Sequence, residues 1–194
     1  MSRRDTNLMG AAGEHLTAGC LCRLGWAASI TPQGYRDIDL VAVRDGDLQK
    51  TILVQCKAAE AGSSMWLNVS AEGPVRTPSN SWCVLISFKA DPTARPDFFV
   101  VPMQVIHVFA WAGFANAVKR GIEKGRSPKP VGRGALKARD FVGYQERWDL
   151  LDLADPDGLP YAFEGGFWDW LRGLDLPPDI APPTKGLLPP PGTI

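Results

Sequence analysis

Three side chains in the first third of the chain carry groups suited to work on a phosphate: the carboxylate of Asp39, the carboxamide of Gln55 and the ammonium of Lys57. They fall in DIDLVAVRDGDLQKTILVQCK, Asp37 to Lys57, where two apolar runs flank Arg44-Asp45-Gly46-Asp47. Apolar runs on either side of an Asp-Gly turn predict a β-hairpin. Side chains repeat every two residues along a strand. Asp39, Val41 and Val43 therefore share a face of the first strand, and Leu53, Gln55 and Lys57 share a face of the second. Folding about residue 47 or 48 sets Asp39 opposite Gln55 or Lys57 on one face. A strand that had only to pack would not carry these three, because an unpaired buried charge is expensive. The duller reading is a cross-strand Asp39–Lys57 ion pair. Asp37 has the same parity as Asp39 and is the second candidate for the carboxylate role.

The chemistry these groups suit is phosphodiester hydrolysis. That reaction needs charge neutralised on the scissile phosphate and a hydroxide made near neutral pH, and one or two Mg²⁺ (or Mn²⁺) ions do both. Mg²⁺ takes oxygen ligands in octahedral geometry, usually one or two carboxylates plus waters. Asp39, the amide oxygen of Gln55 and the carbonyl of Cys56 can supply oxygens, and Glu14 another directly or through water. Lys57 can position the attacking water and stabilise developing negative charge. Two carboxylates and one amide should hold Mg²⁺ weakly until a phosphate completes its shell.

The elements that must position these groups follow from periodicity. Leu8, Ala11, Ala12, Leu16, Cys20 and Leu24 have helical spacing and predict a helix over 7–24, with Gly25 as its stop. Its small residues, among them Gly13 beside Glu14, allow close approach to a sheet. Trp26 to Ile30 predicts a short strand before the hairpin, and Met65 to Val69 another inside a Gly/Ser/Asn/Pro-rich stretch. Ser81–Phe88 and Asp97–Val101 predict two further strands, the first buried. A helix should begin near Pro102 and turn Val105, Ile106, Phe109, Ala110, Phe114 and Val118 inward. Gly and Pro spacing predicts a mobile basic loop over 121–139, and Phe141, Tyr144, Trp148 and Leu151 predict a terminal helix over 141–153. The order predicts an α+β (or α/β) domain on a mixed sheet, spanning 1–155, with an acidic, aromatic and Pro-rich extension over 156–194. The Pro-rich end should be extended or disordered.

Composition sets bounds on function. The formal charge is zero, yet Lys119, Arg120, Lys124, Arg126, Lys129, Arg133, Lys137 and Arg139 face a single Glu123 within 119–139. Such a segment can contact phosphates without reading sequence, or can simply be a solvated loop. The four cysteines form no C-x-x-C pair, and His15 and His107 lie far apart, which argues against a zinc site or a disulfide framework. His15 and His107 read as packed or surface residues. No signal peptide and no span of about 20 apolar residues is present, so a soluble cytosolic protein is expected.

The helix with Gly13-Glu14, then Gly25-Trp26, then Ile38-Asp39-Leu40-Val41-Ala42, then Val54-Gln55-Cys56-Lys57 resembles the PD-(D/E)XK nuclease superfamily. The likeness is to its Holliday-junction-resolvase-like and Mrr-like members, where Gln can replace the acidic residue before x-Lys, and it covers roughly residues 7–110. It implies a restriction-endonuclease-like fold, a four- or five-stranded mixed sheet flanked by helices, and divalent-metal-dependent cleavage of DNA, often by homodimers. Asp39 matches the metal-binding aspartate, Gln55 the acidic position, Lys57 the lysine and Glu14 a first-helix glutamate. Gln55 is a departure that removes one negative charge from the metal site.

The sequence thus predicts a Mg²⁺- or Mn²⁺-dependent DNA endonuclease of repair, recombination or defence. The alternative is a non-catalytic nuclease-fold module that binds nucleic acid or a protein. A third reading gives the tail's Phe167, Trp168 and Trp170 a partner to dock on.

Overall fold

The computed structural model describes residues 6–32, 37–70, 77–127 and 131–152. Expectations for the extension 156–194, the final residue of the 141–153 helix and Lys129 fall outside those residues. Helix α1 (Thr6–Arg23) is followed by β1 (Trp26–Ile30), β2 (Leu40–Arg44), β3 (Asp47–Glu60), β4 (Met65–Ser70), β5 (Ser81–Phe88) and β6 (Asp97–Pro102). Helix α2 (Met103–Ile122), β7 (Val131–Leu136) and two 3₁₀ helices, Ala138–Tyr144 and Trp148–Asp152, complete the order. The main sheet runs β1-β2-β3-β5-β6, parallel between β3 and β5 and antiparallel elsewhere. It is the mixed sheet with flanking helices that the pattern predicts.

The turn closes at Asp45-Gly46, where Arg44 pairs with Asp47, and a register shift between Val43 and Arg44 then pairs Leu40 with Val54, Val41 with Leu53 and Ala42 with Ile52. Gly46 takes φ 79° in the turn, a conformation that costs a glycine little. Of the two registers the sequence allows, this one continues to set Asp39 opposite Gln55.

Helix α1 packs on one face of the sheet, but not through the stripe that signals it. Leu8, Leu16 and Leu24 are exposed, while Gly13, Thr17 and Leu21, four residues apart, are buried. A Cβ on Gly13 would lie 3.1 Å from the Ala58 Cβ and 3.3 Å from Ile86 Cδ1, so the helix sits close against β3 and β5. Ala58 thus faces α1, and with it Cys56. Gln55 and Lys57, of opposite parity, face the other side of the sheet.

On that other side, α2 lies between the sheet and a two-stranded ribbon of β4 and β7. Helix α2 is therefore buried nearly all round, with Trp111 fully covered alongside Val105, Ile106, Ala110 and Phe114. The ribbon corrects the expected mobile loop at 121–139. Residues 131–136 form a strand paired with β4 along its length, from Met65↔Leu136 to Ser70↔Val131. The glycines that suggest flexibility serve packing instead: a Cβ on Gly134 would lie 2.3 Å from the Ala110 carbonyl oxygen, and one on Gly132 2.3 Å from the Phe114 ring.

The expected helix at 141–153 is also corrected, to two 3₁₀ helices. Between them the edge of β6 captures the backbone, with Phe99 bridged to Gln145 and the Glu146 N–H donated to the Phe98 carbonyl at 2.8 Å. Glu146 takes φ 55°, incompatible with a continuous helix. The segment still packs back on the core, with Leu150 and Leu151 buried and the Trp148 and Phe98 rings 5.5 Å apart.

Candidate active site

Asp39 enters β2 held by both neighbours. Its N–H donates to the Val54 carbonyl at 2.8 Å, and its own carbonyl accepts from the Thr31 N–H at 2.9 Å. Its side chain turns along β3, where Oδ2 accepts the Cys56 N–H at 2.7 Å. A carboxylate fixed by a strand amide is pre-organised, and only one of its oxygens is committed to that bond.

Gln55 and Lys57 open on a cleft of about 770 Å³ between the sheet, α2 and β4. Gln55 is 5% exposed, and its carboxamide bonds to no described residue. Lys57 is half-buried and has no ion-pair partner among the described residues. The cross-strand Asp39–Lys57 ion pair therefore does not form, which removes the packing explanation for those two residues. The Gln55 amide and the Lys57 ammonium open toward a cleft where water or a ligand can meet them.

Glu14 and Asp39 are not in the lining of that cleft. Burial raises the Glu14 carboxyl above its usual range, and the Asp39 charge raises it further. Burial pushes the Cys83 thiol up to about 12, with Lys57 lowering it and Asp39 raising it by smaller amounts. The Cys56 thiol, pushed well up chiefly by burial, also feels Asp39 and Glu14. Gln55 pairs with Cys83 across the β3–β5 ladder.

The donor set suits a hard cation. It offers carboxylate, amide and carbonyl oxygens, and a divalent ion near Asp39 would offset the charge that Asp39 and Glu14 place on each other. Among the described residues no three His, Cys, Asp or Glu side chains assemble as a metal cluster, so an ion here would depend on the Gln55 and Cys56 oxygens.

Two residues given minor parts in the sequence reading stand closer to the cleft than expected. Asp37 lines it and takes φ 67°, and His107, half-buried on α2, lines it from the opposite wall. Burial lowers the His107 pKa, and the Asp37 charge partly offsets that. No spacing in the sequence could bring His107 to this cleft, because α2 reaches it only through the tertiary fold.

The basic residues are divided among several elements. Lys119 and Arg120 end α2, where they complement the helix dipole. Lys124 and Arg126 are exposed in the following turn, and Arg133 is exposed on β7.

No protein-family model matches the sequence, and a search of curated proteins returns no relative. Among solved structures, a bacterial homing endonuclease, I-Ssp6803I, is similar at 16% identity and a TM-score of 0.40, over 76% of this chain and 93% of that one. An overlap this loose does not assign an activity to the chain. No described helix is long and apolar enough to cross a membrane.

Proposed function

We propose that this chain is a divalent-metal-dependent DNA endonuclease of the PD-(D/E)XK type in its Q-x-K form. The observation that carries the proposal is Gln55 and Lys57 opening unpaired into the cleft, one register step from a carboxylate already fixed by the Cys56 amide. Bound Mg²⁺ or Mn²⁺ supplies charge neutralisation at the phosphate and a more acidic water. The chain's own residues hold and orient. Asp39 and Glu14 offer carboxylate oxygens, while Gln55 and the Cys56 carbonyl offer neutral ones. Lys57 reaches into the cleft to hold a phosphate oxygen as negative charge builds on it. Arg133, Lys119, Arg120, Lys124 and Arg126 are the candidates for phosphate contacts farther along the DNA.

The test is metal-dependent nicking of single-stranded, duplex and branched DNA by the wild type, Asp39→Ala and Lys57→Ala. Loss of cleavage in both folded variants supports the reading, and retained cleavage in both removes it. Reliance on only two carboxylates favours a second reading, a non-catalytic module on the same fold. That module would bind DNA in a salt-sensitive way and cut it under no divalent ion.

A further inference from the structure

The β4–β7 ribbon presents an outer face that packs against none of the described elements. Met65, Leu67 and Val69 point inward and are buried, so Trp66 and Asn68 point outward and are exposed. Across the register Trp66 faces Ala135 and Asn68 faces Arg133, itself exposed. Trp66 is 52% exposed, and its ring stacks on no described aromatic or cation. Trp66 and Asn68 also line the cleft that holds Gln55 and Lys57. An aromatic plane, a carboxamide and a guanidinium therefore form one surface running out of the cleft.

We infer that this face holds a single DNA strand as it leaves the cleft, with an unpaired base stacked on Trp66 and Asn68 and Arg133 set against the same strand. The inference rests on the nuclease reading for the location of the phosphate, and it adds a substrate class: DNA with an unpaired base beside the reacting phosphate. Each base has a π face, so stacking on tryptophan accepts any sequence, and arginine tracks the backbone. A carboxamide bonds well to base edges. Inside a paired duplex each base is already stacked on both sides, and only the two end pairs keep a free face for the ring. The support is rigid, because Gly132 and Gly134 bring the ribbon into direct contact with Phe114 and Ala110 of α2. The ring is thus carried on a strand fixed to the core, as a positioned stacking surface requires.

The test is binding of short labelled oligonucleotides to the full chain by fluorescence anisotropy, with divalent ions chelated so that nothing is cut. Trp66→Ala should weaken single-stranded DNA binding about five- to hundredfold, the range implied by loss of one stacked base. It should change binding of blunt duplex of the same length less than about twofold. Trp66→Phe should keep most of the single-strand affinity, and Arg133→Ala should lower the salt dependence by about one phosphate contact. Failure of the wild type to bind single strands overturns the inference. So does a Trp66→Ala loss below twofold, or one equal on both DNAs. Cleavage is not read in this experiment, so a nuclease reading that fails in the nicking assay is told apart from a ribbon that does not stack bases.

Discussion

Strands β3 and β5 run parallel and pair residue for residue from Leu53↔Ser81 to Glu60↔Phe88, yet they are composed for different tasks. From Ser81 to Ser87, β5 is buried at every position, and all but its two serines are apolar, as a strand covered on both faces should be. In the same layer, β3 sets Gln55 against Cys83 and Lys57 against Leu85. The neighbouring strand shows what packing alone selects there. The amide and ammonium of β3 are thus departures from what the sheet needs, and neither finds a partner among the described residues.

The contrast breaks most visibly in activity. Lys57→Ala and Asp39→Ala should each lower Mg²⁺-dependent nicking by about 10²- to 10³-fold, the scale of removing one group aimed at transition-state charge. Lys57→Ala should leave stability nearly unchanged in urea unfolding. The opposite profile is expected one strand over. Leu85→Ala should cost about 2–5 kcal/mol by the same unfolding measurement, because it opens a cavity at a fully buried site. A Lys57→Ala chain as unstable as Leu85→Ala would show that β3 serves packing as β5 does. A smaller effect separates the ribbon from a loose loop. Gly134→Ala forces a methyl against the Ala110 carbonyl and should cost about 1–3 kcal/mol, where a mobile loop would register almost nothing.

The smallest effect concerns the cleft wall. Burial holds the His107 pKa below its ordinary 6.5, so the unfolded chain takes up its proton at higher pH than the folded one. The stability contributed by neutral His107 is therefore present above about pH 6.5 and is lost as pH falls through the lowered folded value. Thermal melts from pH 7 to pH 5 should show a shallower loss for His107→Gln than for the wild type. An equal loss would mean that His107 does not report on this cleft.

Much of the frame was legible in the sequence because its signals are local. The Asp-Gly turn and period-two alternation defined the hairpin, and the all-apolar run 81–88 defined the buried strand. The register at Asp39 was not legible, because a register shift between Val43 and Arg44 sets it rather than the turn at Asp45-Gly46 alone. The failures were in tertiary context. Gly132 and Gly134 read as loop residues because sequence does not show a helix lying against their α-carbons. The α1 stripe misled because close approach, not hydrophobicity, chose the buried face at Gly13, Thr17 and Leu21. The 141–153 helix was broken by the edge of β6, a partner some forty residues away. The candidate site was legible as residue types, but its division by the sheet was not. Gln55 and Lys57 lie on the cleft side, whereas Glu14 is carried on α1 against the opposite face.

That division makes the metal position the decisive quantity. Crystals soaked in Mn²⁺ and measured at its absorption edge would locate the ion directly. The expected result is an anomalous peak at the Asp39 carboxylate, with the Cys56 carbonyl and either the Gln55 amide oxygen or Glu14 as further ligands, at oxygen distances of about 2.0–2.3 Å. A peak only at Asp37 and His107, or none under Mn²⁺ concentrations that support cleavage, would contradict it.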